Sequence, residues 1–143
     1  DSPDTPFVRD VRRGAEAVGV RMLGYRDHPG VLDAMSRAAI VVVPSRWEEP
    51  FGLTALEAMA CGGALITTRR GGLPEVAGEA ALYVDSEDPS RLAEAIVRVA
   101  REASLRASLA EAGRARARHF GLEQAAARLA ALRRELLSSG RSG

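Results

Sequence analysis

The stretch from Ala39 to Gly62, AIVVVPSRWEEPFGLTALEAMACG, constrains the fold more than any other part of this chain. It opens with apolar, mostly β-branched residues without polar alternation, which is typical of a central parallel strand covered on both faces. Pro44 ends this strand, a polar loop follows, and Gly52 leads into a helix that Gly62-Gly63 closes. Because ligands of open α/β sheets bind at the carboxyl ends of strands, this loop is a candidate binding site.

Two glutamates make the ligand prediction more specific. Glu57 is expected on the apolar face of the predicted helix, where an unpaired carboxylate is costly. That face consists of Leu53, Leu56, Glu57 and Ala60. Glu49 lies in the loop before the helix, and the free N–H groups of the first helical turn attract phosphate. Together these features predict a ligand that carries phosphate and many hydroxyl groups.

The rest of the chain alternates short apolar runs with helical periodicity, which predicts a doubly wound, parallel, Rossmann-like α/β sheet. Pro6 is expected to open a first helix after Thr5, and Asp88-Pro89 to open a later one. The other predicted elements are strands at Val20–Gly24, Ala39–Val43, Ala64–Thr68 and Ala80–Val84, a helix at about Pro29–Ala38, and two terminal helices within 105–137.

Composition excludes several classes of function. The net charge of +1 gives no strong attraction to nucleic acid or to anionic membranes. All 20 basic residues are arginine, which removes a Schiff-base or P-loop lysine and indicates a GC-rich bacterial genome. Cys61 is the single cysteine, which is compatible with a reducing, cytoplasmic location. Peripheral contact with the inner membrane stays open.

The segment from Glu49 to Glu57, EPFGLTALE, resembles the E-x7-E signature of the family 4 retaining glycosyltransferases. The preceding Val43-Pro44-Ser45 and the later Gly71-Gly72-Leu-Pro-Glu75 match the pattern of that family in order and spacing. The resemblance places the chain in the C-terminal, donor-binding domain of a GT-B fold. It implies transfer of a sugar, with retention, from a nucleoside diphosphate sugar to an acceptor such as a bacterial cell-surface or secondary-metabolite glycan.

The resemblance also implies a role for each candidate site residue. Glu49 is the catalytic candidate, because it contacts the donor sugar near the reacting carbon, and Glu57 holds the ribose hydroxyls. The donor diphosphate binds backbone N–H groups, and no metal or other cofactor is needed. The implied donor-binding residues are Glu57, Phe51, Gly52, Leu53 and Thr54, with Gly24 and Tyr25 beside the nucleotide base.

The same resemblance predicts what the chain lacks. We expect residues 1–143 to form a partial C-terminal domain, whose acceptor would be bound by an N-terminal domain absent from this chain. Strands that would lie between Val20–Gly24 and Ile40–Val43 are also expected to precede Asp1. The open sheet edge left behind would favour aggregation or a homodimer.

Several of these residues could also have a purely structural role, without contact to a ligand. Glu57 could reach solvent, Glu49 could be a solvated loop acid, and Gly24-Tyr25 could be a plain connection. Gly71-Gly72 is interpreted as a tight turn that permits close packing of a helix on a strand, in preference to donor contact. An arginine series in the penultimate helix is interpreted as a solvated edge: Arg114, Arg116 and Arg118.

Two functions from other classes also stay open. One is a non-catalytic module that binds nucleotide sugars or phosphate. The other is a GT-B-like epimerase of sugar nucleotides. A phosphorylase would need a pyridoxal lysine, which this chain does not have.

Overall fold

The computed structural model describes residues 5–85 and 87–121 of the chain. Helices and strands alternate along these residues, which confirms the α/β class. The chain divides into two compact units with a boundary after Ala34. In chain order the elements are α1 (Pro6–Ala17), α2 (His28–Ser36), β1 (Ile40–Val43), α3 (Leu53–Ala60), β2 (Ala64–Thr67), α4 (Leu73–Ala77), β3 (Ala81–Tyr83), α5 (Pro89–Arg101), α6 (Ala103–Ala117) and a 3₁₀ turn (Arg118–Phe120).

The N-terminal unit begins as predicted but lacks the predicted strand. Thr5 caps α1, and its hydroxyl oxygen accepts a hydrogen bond of 3.2 Å from the Val8 N–H. The segment Val20–Gly24 has no regular structure, so that strand prediction is wrong. Within the described residues no strand pairs with it. The Val20 N–H instead donates to the Ala15 carbonyl (2.8 Å), which closes α1.

The sheet of the second unit is parallel, with the order β1-β2-β3 among the described residues. Ile40 is paired with Ala64, and Leu65 with Ala81. The middle strand is β2, all four of whose residues are buried. Among the described residues β1 pairs with β2 alone, and three of its four residues are partly buried, so the second neighbour expected for β1 is not among these residues.

Helices cover both faces of the sheet, as predicted for a doubly wound fold. Along β2 the side chains alternate between two hydrophobic clusters. Leu65 joins one cluster with residues of α3 and α4, including Met59 and Leu73. Ile66 joins the other with residues of α5 and α6, including Val99. Burial of apolar side chains on both faces makes β2 the most deeply buried strand.

Local signals set most helix ends. The α3 helix ends at a left-handed Gly62 (φ 85°), and the Gly63 N–H donates to the Ala58 carbonyl (3.2 Å). Asp88 caps α5 by accepting from the N–H groups of Ser90 (2.9 Å) and Arg91 (3.2 Å). The sequence did not predict α4, because a helix of five residues is too short to show periodicity.

The last predicted helix, within 122–137, lies outside the described residues. Across residues 5–85 and 87–121, no helix combines the length and the apolar character required to span a bilayer.

Candidate functional site

Two loops leave the same edge of the sheet. The first connects β1 to α3 and carries Glu48 and Glu49; the second connects β2 to α4 and carries Gly71-Gly72. Because β1 and β2 are parallel neighbours, their carboxyl ends bring these loops together. We name them the glutamate loop (residues 44–52) and the glycine loop (residues 68–72).

The Glu49 carboxylate is held in place from inside the protein. The Ser45 hydroxyl donates a hydrogen bond of 2.7 Å to Glu49 Oε1, and Ser45 itself is 4% exposed. The Glu49 carbonyl accepts a bond of 2.7 Å from the Gly72 N–H. Glu49 is only partly exposed, which separates it from a freely solvated loop acid.

Close packing between the two loops requires glycine at position 71. Gly71 has a φ of +53°, and its N–H donates to the Glu48 carboxylate at 2.6 Å. A Cβ atom on Gly71 would overlap the backbone N and O atoms of Glu49. These contacts agree with the interpretation that the glycines permit close packing. The packing, however, is between two loops rather than between a helix and a strand.

The start of α3 is open to a ligand. Gly52 precedes the helix with a φ of +94° and supplies no side-chain cap. A Cβ atom there would lie 2.8 Å from Leu73 Cδ2, so glycine is needed for space as well as for conformation. The N–H groups of Leu53 and Thr54, the first two residues of the helix, have no acceptor within it, whereas those of Ala55 and Leu56 donate to the Gly52 carbonyl. This geometry suits a phosphate oxygen.

Phe51, another candidate donor-binding residue, contacts a second aromatic ring and remains partly exposed. Its ring contacts Phe120 in an edge-to-face arrangement, with 5.9 Å between ring centroids. The two rings line a cleft of about 270 Å³ together with Arg116 and His119. The Phe51 ring, which is 44% exposed, therefore has one contact with a second aromatic ring next to the start of α3.

The prediction of which face of α3 is buried is wrong. The helix buries Ala55, Ala58 and Met59, whereas Leu53 is 58% exposed. Met59 packs on Gly113 of α6, where a Cβ would come within 3.2 Å of the Met59 side chain. Small residues let the helices approach closely, and this contact selects the buried face. Glu57 consequently lies at the border of that face and is partly exposed.

Gly24 and Tyr25 belong to the N-terminal unit. Gly24 adopts a φ of +66° in the segment between α1 and α2. The other six candidate residues lie in the second unit, where the structure brings them together on the glutamate loop and α3: Glu49, Phe51, Gly52, Leu53, Thr54 and Glu57.

Sequence analysis missed a set of charges at this edge of the sheet. Arg46 pairs with Glu87 at 2.7 Å, and Arg70 lies 3.8 Å from Glu87 and 3.7 Å from Glu48. These pairs link the loops that follow β1, β2 and β3, but most of the side chains are exposed and each pair stabilises little. The arginine doublet Arg69-Arg70 directly before the glycines was the signal that could have revealed them.

Tyr83 completes this edge. Its hydroxyl donates to the Gly78 carbonyl (2.7 Å), and the Arg69 guanidinium lies 4.1 Å from the ring centroid. Burial raises the pKa of Tyr83, which the charge of Arg69 opposes. Both residues line a cleft of about 390 Å³ at the carboxyl ends of β2 and β3.

The interpretation of the α6 arginines as a solvated edge is wrong for Arg116, which is partly buried, whereas Arg114 is exposed but still makes a contact. Arg114 donates to the Gly62 carbonyl (3.3 Å), just past the end of α3. Arg116 donates to the carbonyls of Glu75 (2.5 Å) and Val76 (3.0 Å) in α4. Cations are favourable at the carboxyl ends of helices, because free carbonyl groups concentrate negative charge there.

A parallel sheet with helices on both faces, an acidic loop and a helix start at its carboxyl edge is the arrangement expected of the C-terminal half of a GT-B glycosyltransferase. Residues 15–116 match the model of the family described as Glycosyl transferases group 1. The chain belongs to this family.

Individual relatives of this chain are also glycosyltransferases or related synthases by name. A D-inositol 3-phosphate glycosyltransferase from Corynebacterium jeikeium is 38% identical over 87% of this chain. Among solved structures, sucrose-phosphate synthase from Thermosynechococcus elongatus has a TM-score of 0.78 and 32% identity over 97% of this chain, and 37% of its own chain is covered. Anabaena Alr3699/HepE in complex with UDP has a TM-score of 0.76 and 26% identity over 93% of this chain, and again 37% of its own chain is covered.

The chain spans about 30% of the length of the curated relatives that it matches. The comparisons support glycosyl transfer and do not favour the epimerase or the non-catalytic module.

Proposed function

We propose that this chain is the donor-binding part of a glycosyltransferase that transfers a sugar, with retention, from a nucleoside diphosphate sugar to an acceptor. The observation that carries the proposal is the fixed Glu49 carboxylate beside the open start of α3. A carboxylate can bind sugar hydroxyls, and helix N–H groups can bind a diphosphate. The structural neighbour HepE has been solved in complex with UDP, which supports a nucleotide ligand for this chain.

In this proposal the diphosphate lies at the start of α3, on the backbone N–H groups of Phe51, Gly52, Leu53 and Thr54. The positive end of the helix dipole offsets the charge that develops on the leaving phosphate. No metal ion is then needed, although basic groups elsewhere in the whole protein are expected to assist.

The two glutamates act at different parts of the donor. Glu57, one turn into α3, accepts hydrogen bonds from the two ribose hydroxyls of the nucleotide. Glu49 binds hydroxyls of the transferred sugar, and its negative charge stabilises positive charge on the reacting carbon. The acceptor oxygen bonds to this carbon on the face that the phosphate leaves, and the departing phosphate takes the acceptor's proton.

The roles of the two glutamates can be separated by substitution. Glu57→Gln should weaken binding of the nucleoside diphosphate by about 1.5–3 kcal/mol, the contribution of a hydrogen bond to a charged group. Glu49→Gln should leave nucleotide binding almost unchanged and lower turnover of the complete protein, meaning this chain joined to its acceptor-binding domain. Calorimetry with UDP, GDP and ADP measures the first effect, and release of nucleotide measures the second.

Glu111→Gln is the matched control, because Glu111 is exposed on α6 and outside the proposed site. It should change neither quantity. Equal nucleotide affinities of wild type and Glu57→Gln would refute the ribose role.

Metal independence is tested by chelation. Activity of the complete protein should survive EDTA, since helix N–H groups take the place of a divalent ion at the diphosphate. Loss of activity that Mg²⁺ or Mn²⁺ restores would contradict this part of the proposal.

A further inference from the structure

Ser45 is placed to control the Glu49 side chain. It follows β1 by two positions, is 4% exposed, and donates from Oγ to Glu49 Oε1 at 2.7 Å. A carboxylate accepts through both oxygens, so a donor on Oε1 restrains that oxygen and leaves the acceptor capacity of Oε2 for a ligand.

Ser45 is itself held by the neighbouring strand. The Thr68 hydroxyl donates to the Ser45 carbonyl at 2.8 Å, and the Thr67 hydroxyl donates to the Val43 carbonyl at 2.9 Å. Both threonines are buried, at 1% and 0% exposed. The Thr67 bond lies at the last paired position of the two strands, whereas the Thr68 bond reaches beyond that position to the glutamate loop. The Thr68 bond thereby ties the Ser45 backbone to the end of β2.

We propose that Ser45 is a positioning residue that orients the Glu49 carboxylate toward the donor sugar, and that Thr68 fixes Ser45 for this task. The inference rests on the proposed function, because it concerns the same carboxylate. The chain of contacts runs from Thr68 through Ser45 to Glu49, and each link is a hydrogen bond of 2.7 or 2.8 Å. Without the serine hydroxyl, Glu49 can rotate about its side-chain bonds and lose its alignment with the reacting carbon.

A purely structural role for Ser45 makes a different prediction. In that case the hydroxyl would only satisfy a buried polar group, and its loss would lower stability without a specific effect on turnover. Thr67 provides the matched control. Its buried hydroxyl donates one hydrogen bond to a backbone carbonyl, as that of Thr68 does, but the acceptor is Val43 and not Ser45.

The experiment uses the complete protein and four variants: Ser45→Ala, Glu49→Gln, their combination, and Thr67→Val. The donor probe is whichever of UDP-glucose, GDP-glucose and ADP-glucose the wild type binds most tightly, with its free nucleoside diphosphate for comparison. Turnover, both affinities and the melting temperature are measured for each variant.

Ser45→Ala should lower kcat by about 10- to 100-fold, the equivalent of one hydrogen bond to a charged group. Affinity for the free nucleotide should stay within about twofold, whereas affinity for the nucleotide sugar falls. In the Glu49→Gln background, adding Ser45→Ala should change kcat by no more than about twofold, because the group that Ser45 positions has already been altered. Thr67→Val should lower the melting temperature and leave kcat unchanged.

Three results would overturn the inference: unchanged kcat in Ser45→Ala, an equal fold-loss from Ser45→Ala in both backgrounds, or an equal kcat loss in Thr67→Val. Wild-type turnover in Glu49→Gln would instead refute the proposed function. Should Ser45→Ala fail to fold, Thr68→Val supplies the same test, since it displaces Ser45 while keeping its hydroxyl. That variant must then show the selective loss of nucleotide-sugar affinity.

Discussion

At the scale of single residues, Gly71 controls how closely the glycine loop approaches the glutamate loop. Its φ of +53° suits glycine, and the Glu49 backbone occupies the space that a side chain would need. Gly71→Ala should therefore destabilise the fold by about 1–3 kcal/mol from backbone strain, with a further loss from overlap. It should also weaken donor binding, because Glu49 must move. Chemical unfolding and donor titration measure the two effects.

Gly19→Ala is the control for this prediction. Gly19 also has a positive φ (72°), but no atom lies within 4 Å of the position of its Cβ. This variant should show strain alone and bind the donor like wild type. If Gly71→Ala kept full donor affinity, the packing of the two loops would not position Glu49.

At the scale of elements, Arg116 connects α6 to α4. Its two hydrogen bonds to the Glu75 and Val76 carbonyls stabilise the end of a five-residue helix, which is too short to be stable alone. Arg116→Met keeps the aliphatic part of the side chain and removes both bonds. We expect a loss of about 1–3 kcal/mol in the free energy of unfolding.

Arg118→Met is the matched control, because Arg118 is an exposed neighbour on the following 3₁₀ turn. Its effect on the free energy of unfolding should be within about 0.5 kcal/mol. Hydrogen exchange of the α4 amides should increase in Arg116→Met and stay unchanged in Arg118→Met. Equal exchange in both variants would show that Arg116 does not stabilise α4.

At the scale of the whole molecule, the outer edge of β1 governs how the isolated chain behaves. Among the described residues β1 pairs with β2 alone, and Ile40, Val41 and Val42 remain partly exposed. Unpaired N–H and C=O groups on an apolar strand recruit other chains. We therefore predict that residues 1–143 associate through this edge or aggregate as concentration rises.

Sedimentation equilibrium over a range of concentrations tests this prediction, with thermal unfolding measured alongside. The complete protein serves as the control, since we expect a further strand to cover the edge there. A soluble monomer that unfolds in one sharp transition would show that the sheet is stable without such a strand.

The sequence by itself determined the features that depend on near neighbours. The β-branched run predicted β1, Gly52 predicted the start of α3, and Thr5 and Asp88 predicted helix caps that the structure confirms. Each of these signals acts within about one helical turn or one strand, so a short window contains the whole cause. The family signature likewise indicated glycosyl transfer, which the comparisons support.

Only the tertiary structure decided which surfaces are buried and which segments pair. The buried face of α3 follows from Met59 meeting Gly113, and Arg116 bonds to a carbonyl 41 positions away. The segment Val20–Gly24 has a sequence compatible with a strand, yet it forms none without a paired neighbour. Periodicity shows that a helix or strand has an apolar side, but burial and pairing depend on the residues that distant parts of the chain place against it.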